Sequence, residues 1–122
     1  MSINAINLAA RLILEITGLL ALGIWGWDKG DGLLKVVVAL VVPITAAAIW
    51  GMFAVPGDPS RSGNAPVVIS GVLRLIIECV FFSSVVWVLL AMHYPVFAWL
   101  FAAIVIVHYV VSFDRVTWLI RQ

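Results

Sequence analysis

Charged side chains are what this sequence has least of: 11% of its 122 residues carry a charge, against 65% that are apolar. A soluble domain averages about 25% charged residues, so the chain lacks the polar surface needed to dissolve a globule of its size, and lipid is the expected solvent. The seven basic residues are scattered and the formal net charge is +1, which leaves no basic footprint for nucleic acid. One cysteine, Cys79, excludes an intrachain disulfide and any multi-cysteine metal centre. There is no nucleophile paired with a base, no cluster of metal ligands and no glycine loop of the phosphate-cradling kind. The expectation is therefore a protein that is not an enzyme and holds no cofactor.

What the chain has is long apolar runs, and an α-helix needs roughly 20 residues to cross about 30 Å of hydrocarbon. Four such runs are present, at about 3–27, 33–55, 67–92 and 96–119. Asp28-Lys29-Gly30-Asp31-Gly32 separates the first pair and His93-Tyr94-Pro95 the second, while the polar stretch 56–66 divides the halves. The pattern predicts an all-α membrane protein, a single domain over 1–122, with four transmembrane helices in two hairpins at about 3–55 and 67–119. The first run has some likeness to a signal peptide, but Glu15 would interrupt its apolar core and the same element recurs in mid-chain, which argues against cleavage.

Arg61, Arg115 and Arg121 fall on the side shared by both termini and the loop, and Lys29 and Lys35 on the other. Arg11 and Arg74 also lie in the first halves of spans that start from the terminal side. By the positive-inside tendency both termini, and loop 56–66, are expected in the cytoplasm. Trp25, Trp27, Trp87, Tyr94 and Trp99 would form one interfacial belt, Trp50 and Trp118 the other.

The charges inside the spans recur as a unit. Arg11-Leu12-Ile13-Leu14-Glu15 returns as Arg74-Leu75-Ile76-Ile77-Glu78, identical at four of five positions. Because spans one and three run in the same direction, the halves would be related by a parallel pseudo-two-fold repeat. Both carboxylates are expected near mid-span, where a charge costs about 2.5–3.5 kcal/mol. They must then be paired or wet. Arginine precedes glutamate in both copies, the weaker order for a pair within one helix, so partners across helices are expected: Arg11 with Glu78 and Arg74 with Glu15. The stripes Asn7, Arg11, Glu15, Gly18, Leu22 and Gly71, Arg74, Glu78, Phe81 would face each other.

Two further features are polar or small. Pro43, Ala47 and Gly51 make a small-residue stripe on span two, with a bend expected at the proline. His108, Ser112 and Arg115 share a face of span four, where a lone intramembrane histidine is either a packing residue or a proton relay.

The pattern from Asn7-Leu8 through Arg11–Glu15 to Trp25-Gly26, the segment Trp50-Gly51-Met52-Phe53-Ala54-Val55-Pro56, and the Glu78 region together resemble the YrdB family of small bacterial four-span membrane proteins. The resemblance implies a bacterial inner-membrane location and brings no established activity and no ligand residues. A carboxylate in the first of four spans is similar in layout to the small multidrug resistance transporters, which do not share the duplicated arginine. Two roles are open. One is a structural or accessory membrane subunit, its ion pairs fixing helix packing and its outer faces meeting lipid and either further copies or another membrane protein. The other is an oligomeric proton- or cation-linked transporter or channel using Glu15, Glu78 and His108.

Overall fold

The computed structural model describes residues 5–61 and 64–122. Ile3, where the first apolar run begins, and 62–63 of the expected loop lie outside the described residues. Among the described residues five helices follow in order: α1 Ala5–Lys29, α2 Leu33–Met52, α3 Gly71–Ala91, α4 Pro95–Val111 and α5 Phe113–Ile120. Between α2 and α3 two short strands, β1 Phe53–Ala54 and β2 Val67–Val68, pair in parallel, Phe53 opposite Val67 and Ala54 opposite Val68. Among the described residues three helices are long and apolar enough to cross a membrane, four if α4 and α5, bent by 72°, count as one span.

Local chemistry explains the boundaries. The α1–α2 turn uses Gly32 at φ 58, a left-handed conformation that glycine adopts without Cβ strain. α3 starts at Gly71, later than the apolar run suggested, because 67–68 are held extended against β1 and the Ser70 hydroxyl accepts from the Leu73 amide to cap the helix. At the other end His93, at φ 64, closes a Schellman turn: its amide donates to the Leu90 carbonyl and that of Tyr94 to Leu89. Pro95 then opens α4 at the position where its missing N–H costs nothing.

The expected fourth span is broken. α4 ends at Val111, Ser112 leaves the regular helix, and α5 turns away with Arg115 and Leu119 buried. Gly71 allows this docking: a Cβ there would stand 1.6 Å from the Leu119 carbonyl oxygen.

α1 and α3 form the centre, α1 packing on α2, α3 and α4, and α3 on α1, α4 and α5. Their inward residues recur at spacings of three and four, Arg11, Leu14, Gly18, Ala21 and Leu22 on α1 and Arg74, Glu78, Phe81, Val85 and Val88 on α3. The apolar core lies around Leu22, Phe82, Val85 and Phe101, with Phe82 in ring contact with Phe81, Phe101 and Tyr109. α2 has no buried residue. The expected stripe of Pro43, Ala47 and Gly51 is not its packing face, since Ala47 and Gly51 are exposed; Val42, Ala46 and Trp50 turn to the core instead. The polarity of the whole is inverted: Arg11, Arg74, Glu78 and Arg115 are inside while Leu, Ile and Val cover the outside.

Candidate functional site

The buried charges gather in one network at the end of the bundle where α1 and α3 begin. Glu78 is the hub, its side chain fully buried. Its Oε1 accepts from the Tyr109 hydroxyl at 2.5 Å and from Arg115 Nη1 at 3.0 Å. Oε2 accepts from Arg74 Nε at 2.9 Å and Arg115 Nη2 at 2.7 Å, and pairs with Arg11 Nη2 at 2.9 Å. Three guanidinium groups and a phenol thus surround one carboxylate.

Arg115 joins this hub to the loop. Nε and Nη2 donate to the two carboxylate oxygens of Asp58 at 2.8 and 2.7 Å, while Nη1 and Nη2 face Glu78. Each edge of the planar group meets a carboxylate in parallel, a geometry lysine cannot supply. Asp58 is fixed in turn by the Ser60 amide and hydroxyl, both at 2.9 Å. Burial pushes the Asp58 pKa up, but the Arg115 hydrogen bonds and charge, with the Ser60 donors, outweigh it and hold the carboxyl below its ordinary 3.8.

Arg74 carries the network to the end of α2, where Nη1 donates to the carbonyls of Trp50 at 2.6 Å and Phe53 at 2.7 Å. Those oxygens fall where a helix has no amide left to offer them. Trp50 completes the joint, with the guanidinium carbons of Arg74 and Arg11 4.5 and 5.0 Å from its ring centre and its indole N–H donating to Glu15 Oε1 at 3.1 Å. The expectation that Trp50 anchors in an interfacial belt is corrected here: it faces the charges and the rings of Phe81 and Phe82.

The expected partners divide unevenly. Arg11 does reach Glu78 across the helices, yet it also pairs with Glu15 in its own helix at 3.3 Å, and Arg74 pairs with Glu78 in its own. Among the described residues Arg74 and Glu15 form no ion pair; Arg74 is drawn instead to the α2 carbonyls. The two copies therefore differ: Glu78 is sealed, while the Glu15 side chain is 22% exposed. Along α3, Gly71–Ala91, Glu78 lies about 10 Å from the helix start and about 5 Å from the helix midpoint.

His108 is held away from the carboxylates. Arg11 Nη1 lies 3.4 Å from its Nε2 and can only donate, so Nε2 accepts and Nδ1–H donates to Asn7 Oδ1 at 2.8 Å. The Asn7 amide nitrogen in turn donates to the Ser112 hydroxyl. A proton arriving at Nε2 would displace the Arg11 contact and set imidazolium beside guanidinium. Three guanidinium groups face the three carboxylates of Glu15, Asp58 and Glu78, so the cluster is balanced with His108 neutral. Among the described residues no three His, Cys, Asp or Glu side chains are grouped to hold a metal, and Cys79 is exposed.

Arg11, Glu15, Arg74, Glu78 and His108 are singled out by the sequence; Asp58, Tyr109, Arg115 and the inward turn of Trp50 are not. A signal existed in Ser112 and Arg115 sharing a face with His108, and in Asp58-Pro59-Ser60, a local side-chain turn sequence.

A family model described as a protein of unknown function (DUF2568) matches residues 9–106. The chain belongs to the DUF2568 family. The match takes in Arg11, Glu15, Trp50, Asp58, Arg74 and Glu78, and ends before His108, Tyr109 and Arg115. The chain is 39% identical over 120 residues to the uncharacterized protein YrdB of Bacillus subtilis (strain 168), covering 98% of each. That likeness agrees with the resemblance drawn from the Arg11–Glu15 and Trp50–Pro56 segments. No solved structure matches.

Proposed function

We propose that the chain is a four-span protein of the bacterial inner membrane, without enzymatic activity, whose Arg/Glu network is a permanent clamp, and that it serves as a structural or accessory subunit. The observation that carries this reading is the closure of Glu78, which has no exposed surface and offers each oxygen to at least two donors. A carboxylate that loads and releases a cation needs a path and a free lone pair, and Glu78 has neither. The outer helix faces, lipid-covered on this reading, include α2 with no buried residue, which leaves room for a second copy or another membrane protein.

The four-span reading counts α4 and α5 as one bent span, with α5 lying along the boundary. Both termini are cytoplasmic on this reading, because insertion acts on the chain before native pairs form. Arg11, Arg61, Arg74, Arg115 and Arg121 then all weigh on the terminal side against Lys29 and Lys35. The parallel relation of the two hairpins rests on the repeated Arg/Glu segment; the structure's unequal use of Glu15 and Glu78 is a divergence within that repeat.

One observation favours a second reading, an oligomeric proton- or cation-linked transporter: Glu15 is partly exposed, and its Arg11 and Trp50 contacts both fall on Oε1. Flux assays on the purified chain in liposomes, beside melting of Glu15→Gln and Glu78→Gln in detergent, separate the two. The clamp predicts no flux and a large loss of melting temperature for Glu78→Gln. Proton or cation flux that Glu15→Gln abolishes without lowering the melting temperature would replace it with the transporter.

A further inference from the structure

On the terminal side, α1 and the loop after α2 enclose a cleft of about 380 Å³ lined by Leu8, Arg11, Leu12, Glu15, Ser60 and Arg61. Its charges are unequally matched. Arg11 is countered by Glu15 and Glu78, and Glu15 by Arg11 and the Trp50 N–H. Arg61 has no carboxylate partner among the described residues; it donates to the carbonyls of Gly51 at 3.2 Å and Asn64 at 2.8 Å. Nε of Arg61 is buried without a hydrogen-bond acceptor among the described residues, whereas Arg11, 2% exposed, meets Glu15, His108 and Glu78 through its three nitrogens. A surplus cation with an unsatisfied N–H donor describes a site for an oxyanion.

Leu12 of the cleft is followed one turn later on α1 by Ile16, which lines a separate apolar groove of about 480 Å³ between α1 and α2, running past Leu20 and Ile24 to Pro43. A polar cleft and an apolar groove thus succeed one another along α1. From this juxtaposition we infer that Arg61 holds the phosphate of an anionic phospholipid whose acyl chain lies in the α1–α2 groove. Free phosphate shares the head chemistry but gives the groove no occupant. The inference rests on the membrane-spanning reading.

The test uses the full chain purified in detergent, with phosphatidylglycerol, phosphatidylcholine or inorganic phosphate added, read by native mass spectrometry and by melting temperature. Both lipids carry a phosphate, but choline cancels its charge, so phosphatidylglycerol is expected to bind in preference and to raise the melting temperature. Arg61→Gln is expected to weaken phosphatidylglycerol about fivefold, the effect of one arginine at an anionic surface, and Arg61→Lys to restore part of it; each variant is compared with its own lipid-free state. Equal binding of the two lipids by the unmodified chain overturns the inference without any variant. A melting shift produced by inorganic phosphate alone, with no lipid preference, overturns the lipid source. A chain that stays soluble without detergent overturns the membrane reading instead, and so is told apart from both.

Discussion

Arg115 shows what a single residue does here, because its two guanidinium edges tie the loop carboxylate of Asp58 and the α3 carboxylate of Glu78 to α5. Arg115→Lys keeps the charge and loses the fork. Since hydrogen bonds to charged groups contribute about 1.5–3 kcal/mol each, the variant is expected to melt well below the unmodified chain, and thermal unfolding in detergent reads it directly. Asp58 adds a pH dependence whose sign is fixed by its lowered pKa. A carboxylate with a folded pKa below the unfolded 3.8 contributes its full stability above 3.8, and that contribution is lost as pH falls through the lower, folded value. Asp58→Asn is therefore expected to be less stable than the unmodified chain at neutral pH, the gap closing only below 3.8, as a melting series in pH would show. Arg11 and Glu78 were legible in the sequence because a repeated charge pair in an apolar run has to be compensated. Asp58 and Arg115 were not, because the first reads as ordinary loop charge and the second as a charge near the end of span four until a bend brings them together.

At the scale of elements, the close docking of α5 on α3 depends on Gly71, where a Cβ would meet the Leu119 carbonyl at 1.6 Å. Backbone cannot yield as a flexible side chain can, so Gly71→Ala must displace α5 and with it Arg115. The expected loss is about 1–3 kcal/mol or more, with faster proteolysis near Ser112. Gly51→Ala is the contrast: nothing lies within 4 Å of its Cβ position, and it is expected to be neutral or stabilising by up to about 1 kcal/mol. Equal melting of the two variants would contradict the docking account. Helices α1, α2 and α3 were readable from length and hydropathy alone. The break at Ser112 was not, because Phe113 to Ile120 continues the apolar run with only Asp114 and Arg115 to mark it, and what turns α5 is a tertiary pull on Arg115. The late start of α3 was hidden likewise, since Val67 and Val68 are as apolar as the helix and are claimed by β1.

For the whole molecule, on the membrane-spanning reading, charge inside and apolar surface outside follow from one cause: in lipid the apolar faces need no cover, while six ionised groups must find one another. Reporter fusions check the orientation this implies, with activity expected from a cytoplasmic reporter after Gln122 and from an external one near Gly30; the opposite pattern would reverse the topology and leave the fold untouched. Whether the network is a fixed clamp is read from a double-mutant cycle on Glu78 and Arg115. Glu78→Gln alone leaves three arginines around a neutral amide, and breaking a buried pair from one side costs about 3–5 kcal/mol. Unfolding free energies of Glu78→Gln, Arg115→Gln and the double variant in detergent are expected to give a coupling of about 2–3 kcal/mol, the upper range for residues in one network. A coupling near zero, with Glu78→Gln as stable as the unmodified chain, would contradict the account.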